Sequence, residues 1–261
     1  MVFSSRVSLI PAATVILVRE GAEGLEVFLL KRHRASSFMS NAYVFPGGKV
    51  DAEDDGHETA AIRELFEEAG VLLATPPMSE DERAAARGRL LAGEVSFAQV
   101  LSGASLTPDL SRLHWWARWV TPSQEPRRFD AVFFVAELPP GQRPSFDQKE
   151  TVEELWITPA QAIEKQATGE LRLPPPQLRT MHDLVAAGSI EGIAAAAARR
   201  QESRPAICPR ISMGEGGIQI LLPWDPDYEG TPGEGQAIAA NDAAAGAPTR
   251  FIWGGQAWRV M

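Results

Sequence analysis

The chain has almost no cysteine. Cys208 stands alone among 261 residues, which excludes an internal disulfide and a cysteine-built zinc site and leaves the thiol as a small buried apolar group. Histidine is scarce too: His33, His57, His114 and His182 are scattered, with no metal-ligand spacing. No basic run offsets the formal net charge of −9, so a nucleic-acid surface is not expected. No apolar stretch approaches the ~20 residues needed to span a bilayer. The one segment that mimics a leader, Ser8 to Val18, is interrupted by Pro11, ended by Arg19-Glu20 and followed by no small-residue cleavage site; it reads as a core strand. The C-terminal Trp258-Arg259-Val260-Met261 is not a Ser-Lys-Leu address. The expectation from these absences is a cytoplasmic protein with no membrane and no nucleic-acid partner.

What is present is ordinary in bulk and unusual in one place. Hydrophobic residues make up 44% and charged residues 23%, and the length allows a sizeable core in one large domain, or in one domain with appendages. The unusual place is Arg63-Glu64-Leu65-Phe66-Glu67-Glu68-Ala69-Gly70-Val71. At roughly 100° per residue on a helix, Glu64, Glu67 and Glu68 share a face, and Ile62, Leu65, Phe66 and Ala69 fall opposite. Like charges at such spacing repel by about 0.2–0.5 kcal/mol per pair, more when partly buried. A hard divalent cation reverses that penalty, because clustered carboxylate oxygens are its proper ligands. A solvated acidic helix face is the plainer reading of the same cluster.

The upstream stretch weighs between the two. Tyr43, Val44 and Phe45 suggest a strand that ends in a Pro46-Gly47-Gly48 turn, where glycine lets backbone N–H groups approach an anion. Asp55 with Glu58 three residues on has the spacing of a capping box, which starts the helix near Gly56, and Gly70 sits where a left-handed cap belongs. Strand, glycine loop and acidic helix together suit a metal-bound phosphate.

Along the rest of the chain, Ala12–Arg19 and Leu25–His33 read as a hairpin. Leu113–Val120, Phe129–Leu138 and Leu155–Thr158 read as further strands. Helical composition covers Ser79–Leu91, Phe97–Leu101, Gln177–Ala187 and Ile190–Arg200, and Thr158-Pro159 has the form of an N-cap with proline in the first turn. The last sixty residues are rich in Gly and Pro, with β-type pieces at Ile218–Leu222 and Arg250–Val260 and a long loop expected over 229–248.

These residues resemble the signature of the Nudix hydrolases. Its second half matches at Arg63, Glu64, Leu65, Glu67, Glu68, Gly70 and Val71. In the first half there is a one-residue insertion after Gly48, and Asp55 stands where the family has an early glutamate. Lys31-Arg32, Ala42 to Gly48, Trp119-Val120-Thr121-Pro122, Arg127-Arg128-Phe129-Asp130 and Trp156 are similar to the branch that contains the mammalian peroxisomal coenzyme A diphosphatase, over roughly residues 10 to 200. Of that group's coenzyme A signature, Arg32 fits the first arginine, while Ser37 and Asn41 replace the second arginine and the glycine.

The resemblance implies an α+β fold, a Nudix-type αβα sandwich with a mixed central sheet. It implies a Nudix domain over 1–205 with a helical insertion at about 76–105, and a C-terminal extension over 206–261 packed on the domain. It also implies an enzyme that uses Mg2+ or Mn2+ to hydrolyse a diphosphate linkage, that of coenzyme A or its thioesters or alternatively of NADH, ADP-ribose or a nucleotide sugar. A nucleotide-binding module without catalysis is the reading from another class; the intact glutamate triplet speaks against it. Glu64, Glu67 and Glu68 are the implied metal ligands, with Arg63 orienting them. Glu64 or Glu150 would take the proton from water, with Glu153 and Glu154 close competitors to Glu150. Gly47, Gly48, Arg32, Arg34 and Arg128 are the implied substrate contacts. Arg127 competes with Arg128, since strand neighbours face opposite ways, and Asp130 could instead pair with Arg128. Trp115, Trp116 and Phe129 could stack on adenine or simply form core. The partner is a small nucleoside diphosphate derivative, and a homodimer is possible.

Overall fold

Alternation along one strand sets the architecture. In Leu9–Gly21 (β1), Ile16 and Val18 enter one apolar layer while Ala13, Val15 and Leu17 enter another, as expected of a strand buried on both faces. The computed structural model describes residues 8–33, 41–147, 151–238 and 248–261. β1 continues into β2 (Gly24–Arg32), β3 (Tyr43–Val44) and β4 (Gly47–Lys49), and then into helix α1 (Gly56–Ala69). A two-strand ribbon of β5 (Ala74–Thr75) and β6 (Thr107–Pro108) brackets helices α2 (Glu80–Leu91) and α3 (Phe97–Gly103). Strands β7 (His114–Val120), β8 (Arg128–Glu137) and β9 (Thr151–Ile157) precede helices α4 (Pro159–Thr168), α5 (Pro175–Ala187) and α6 (Ile190–Gln201). Five short strands follow: β10 (Ala206–Ile207), β11 (Arg210–Gly214), β12 (Gly217–Leu221), β13 (Arg250–Trp253) and β14 (Trp258–Val260).

The main sheet is mixed and runs β10-β7-β8-β1-β2-β3, with β4 also on β1 and β9 also on β2. β1 and β8 are parallel, in register from Leu9↔Arg128 to Val18↔Glu137, while β1–β2 and β7–β8 are antiparallel. One face carries α1 and the inserted helices over Leu65, Phe66, Phe97 and Val100. The other carries α4, α5 and α6 over Leu178, Met181, Leu184 and Ile193. This is an α+β sandwich with helices on both faces, the architecture expected from the sequence. The C-terminal strands form a second, antiparallel sheet, β11-β12-β13-β14. Leu222 and Phe251 of this segment enter the same apolar layer as α5.

The termini of the helices explain their limits. Ser79 and Ser96 each form a full capping box, with Glu82 and Gln99, so α2 and α3 start sharply. Thr158 caps α4 by accepting from the Gln161 N–H, and Gly70 ends α1 at φ 68°. One local expectation needs correction. Asp55 precedes α1 but makes no side-chain cap bond: its ψ of 70° is outside the extended region a cap requires. The β-type piece at Arg250–Val260 is a hairpin, in which Trp253 faces Trp258 across the β13–β14 pair. Residues 229–238 contain turns but no strand or helix, and the remainder of the expected loop up to residue 247 lies outside the described residues.

Leu65 is fully buried on the inner face of α1. Leu65→Ala is expected to lower unfolding stability by about 2–5 kcal/mol through lost burial and an unfilled cavity, measurable by urea denaturation.

Candidate functional site

Glu64, Glu67 and Glu68 come from one turn of α1, and the packing of Leu65 and Phe66 behind them fixes which way they point. All three line a cavity of about 800 Å3. Its floor is the sheet: Ala12 and Thr14 of β1 beside Ala131 and Phe133 of β8. Across it lie Pro175, Pro176 and Gln177 at the start of α5, with Pro209, Ile211 and Ile220 of the C-terminal segment. A separate hollow of about 200 Å3, among Val18, His114, Val135 and Ile193, has none of these carboxylates.

Arg63 is the electrostatic centre of the acidic wall. Its Nη1 donates to Glu64 Oε1 at 2.9 Å and reaches Glu67 at 3.5 Å. Its Nε and Nη2 grip Asp54 at 3.0 and 2.9 Å, and Nη2 also donates to the Lys49 carbonyl at 2.8 Å. Burial opposes the guanidinium's charge, but the hydrogen bond to Asp54 and the fields of Glu64 and Glu67 outweigh it and raise its pKa. Burial dominates at the carboxylates. It pushes Glu64 up to about 7 against the pull of Arg63, and it raises Glu67 in the same way. The wall thus holds more negative charge than one arginine compensates.

The two glycines are required for steric reasons rather than for a turn. Gly47 and Gly48 are in strand β4, paired with Thr14 and Ala13. A Cβ on Gly48 would stand 2.4 Å from Glu64 Oε1, and one on Gly47 would stand 2.5 Å from the Ala13 carbonyl oxygen. The Gly47 N–H, expected to meet an anion, instead donates to Glu68 Oε2 at 2.9 Å. Both glycines still line the cavity.

The remaining expected contacts divide. Arg32 lines the cavity, and its Nε is buried with no hydrogen-bond partner. Asn41, where the coenzyme A signature has glycine, adopts φ 57°, the left-handed conformation that glycine supplies and asparagine tolerates. Arg128 is a correction. It is 4% exposed and does not line the cavity: it donates to the Thr121 carbonyl and pairs with Glu234. Alternation along β8 sends Phe129, Ala131 and Phe133 to the cavity side instead, and Arg127, just before the strand, lines the cavity too. Asp130 pairs with Arg118, not with Arg128. Trp115 and Trp116 are buried core and absent from the cavity wall. Glu153 holds Lys31 and Tyr43, and Glu154 accepts from the Phe146 N–H. Arg34, Ser37 and Glu150 lie outside the described residues.

Sequence reasoning missed Asp54 and two arginines of α2. Asp54 lay within an acidic run whose spacing to Arg63 gave no sign that it, rather than Asp55, is the buried partner. Arg83 donates to the Gly70 carbonyl, and Arg87 to the carbonyls of Glu67 and Glu68. They satisfy the open carbonyls at the end of α1, where positive charge is favoured.

The oxygen donors on this wall are of the type that a hard cation takes. As they stand, among the described residues, no three or more acidic, histidine or cysteine side chains are gathered closely enough to hold an ion. Arg63 occupies the space between Glu64 and Glu67, and Glu68 is turned to Gly47.

The buried Arg63–Asp54 pair makes a direct test of the wall. Arg63→Met strands three carboxylates and is expected to cost about 3–5 kcal/mol in denaturant unfolding, with Arg63→Lys costing less because the charge remains.

The "NUDIX domain" family matches residues 9–90, and the "NUDT19 Nudix domain" family matches residues 56–184. The chain is 28% identical over 287 aligned positions to a Xenopus laevis protein named acyl-coenzyme A diphosphatase NUDT19, covering 83% of this chain and 76% of that one. It is 29% identical to the Homo sapiens protein of the same name, covering 79% and 73%. A putative nudix hydrolase 7 of Caenorhabditis elegans is 34% identical, over 64% of this chain and 57% of that one. Among solved structures, a NUDIX hydrolase from Alicyclobacillus acidocaldarius superposes with a TM-score of 0.64 at 27% identity, covering 74% of this chain and 97% of that one. Among the described residues no helix is long and apolar enough to cross a membrane. With the Arg63–Val71 motif on α1, the glycine strand against it and both family matches meeting there, the chain belongs to the Nudix hydrolases, enzymes acting on diphosphate bonds.

Proposed function

We propose that this chain hydrolyses the diphosphate linkage of coenzyme A or an acyl-coenzyme A, giving adenosine 3′,5′-bisphosphate and (acyl-)phosphopantetheine. The observation that carries the reading is the cavity itself: carboxylates at one end, Arg32 and Arg127 on its walls, and an apolar remainder including Trp119, Phe129, Ile211 and Ile220. A diphosphate needs cationic partners, and the 3′-phosphate of coenzyme A needs arginine beyond the metal end. The names of the vertebrate relatives agree with this substrate class.

Glu64, Glu67 and Glu68 would hold Mg2+ or Mn2+, since uncompensated buried carboxylates facing a cavity lose their mutual repulsion when a cation is bound. Glu64 and Glu67 would take up that role by exchanging some of their contact with Arg63, and Glu68 through the oxygen not engaged by Gly47. Bound there, the ion supplies charge neutralisation on the diphosphate and a more acidic water. The protein's own share is orientation: Arg63 fixes the Glu64 carboxylate, Gly48 leaves it room, and Glu68 ties α1 to β4. Glu64, whose carboxylate lines the cavity, would be the base within the described site.

The test is a substrate panel with Mg2+ or Mn2+ comprising coenzyme A, acetyl-coenzyme A, NADH, ADP-ribose and UDP-glucose, with products identified by mass. Coenzyme A compounds are expected to be cleaved with the highest kcat/KM. Glu68→Gln is expected to lower turnover by orders of magnitude with the thermal unfolding temperature little changed; retained Mg2+-dependent turnover would remove the metal assignment.

A further inference from the structure

The C-terminal sheet has no role in the chemistry above, yet it closes the cavity. Ile211 of β11 and Ile220 of β12 are direct register partners, so they present one apolar surface. Both line the cavity together with Pro209, opposite the sheet floor. Neither is fully buried, although Phe251, the next partner across from Ile220, is completely enclosed. The same cavity is lined by Ala12 of β1 and its register partner Ala131 of β8, where the same face further along carries Ile16, Val18 and Val135. The small alanine pair and the half-open isoleucine pair leave apolar surface in the cavity that an apolar guest would cover. The cavity volume of about 800 Å3 falls in the ~300–1,000 Å3 range of small-molecule sites.

A second observation comes from α5. Gln177, 8% exposed, lines the same cavity, and its Oε1 is buried without a hydrogen-bond partner. Such an orphaned acceptor is destabilising unless something donates to it. The two residues before it, Pro175 and Pro176, have no N–H to offer.

We propose that Ile211, Ile220 and Pro209, with Gln177 opposite the sheet, form the subsite for the substrate arm beyond the diphosphate: an extended, amide-bearing apolar chain whose N–H is accepted by Gln177 Oε1. The C-terminal segment is then a specificity element, and chain length of the acyl group is read there. This rests on the coenzyme A reading above and specifies which part of the protein grips the non-nucleotide arm.

The experiment compares kcat/KM for free coenzyme A with that for octanoyl- and palmitoyl-coenzyme A in the full-length wild type, Ile211→Trp and Gln177→Met. Ile211→Trp narrows the cavity, and the long-chain to free-coenzyme A ratio is expected to fall at least tenfold. Gln177→Met keeps the shape and removes the orphan, so KM for coenzyme A is expected to rise several-fold while the unfolding temperature stays level or rises; a purely structural glutamine would lower it. A ratio within twofold of wild type in Ile211→Trp overturns the subsite, as does an unchanged KM in Gln177→Met should the tryptophan variant fail to fold. If the wild type cleaves no coenzyme A compound, the hydrolase reading of this substrate fails separately. Calorimetric binding of palmitoyl-coenzyme A to the same proteins then decides the subsite by the same ratio.

Discussion

Everything at the acidic wall depends on how much charge one buried arginine can hold. Asp54, Glu64 and Glu67 all address Arg63, and a single guanidinium cannot neutralise three carboxylates. Its Nε and Nη2 go to Asp54, which is almost fully enclosed, leaving Nη1 to Glu64 and Glu67. Burial therefore wins at Glu64, whose pKa rises to about 7 despite the adjacent cation. A wall built this way is stable enough to fold and still short of positive charge. That shortage is the property a cation-dependent site needs, and it follows from the placement of one residue next to another in sequence.

Such a wall needs a rigid support, and two separate segments supply it. From one side β4 closes against β1, and Glu68 accepts the Gly47 N–H, so the strand and helix are joined through a carboxylate. From the other, α2 brings Arg83 and Arg87 to the last carbonyls of α1. Arg87 also reaches Ser145, which itself donates from its backbone to the Ala69 carbonyl. The inserted helices are therefore not ornament on the surface. They tie down the C-terminal turn of α1, the turn that carries Glu67 and Glu68.

The parts of this arrangement that were readable beforehand are those governed by local periodicity. The face of α1, the β1–β2 hairpin, the Gly70 cap and the helices of the insertion all follow from spacing within a few residues. What was not readable depends on contacts between distant segments. Gly47 and Gly48 looked like turn residues; the reason for glycine is that Glu64 and the Ala13 carbonyl occupy the space a side chain would need. Arg128 looked like an anion contact because its neighbour could not be distinguished from it by pattern. Which of the two faced the cavity was settled by β8 pairing in parallel with β1 and by Glu234 coming back from the C-terminal segment. Asp54 and Asp55 differ by one position, and only the path of the loop decides which meets Arg63.

The same sheet does two jobs along its length, and residue size divides them. Where β1 and β8 carry Ile16, Val18 and Val135, the layer beneath α5 and α6 is filled. Where they carry Ala12, Thr14 and Ala131, the layer opens into the cavity. Filling that end with larger side chains would add burial and remove the space. The fold therefore gives up some apolar packing there, and the cavity is then walled by residues from α1, from the start of α5 and from the C-terminal strands. Polar and apolar ends meet in one continuous space because the acidic helix approaches it from the β4 edge while the isoleucine pair covers it from above.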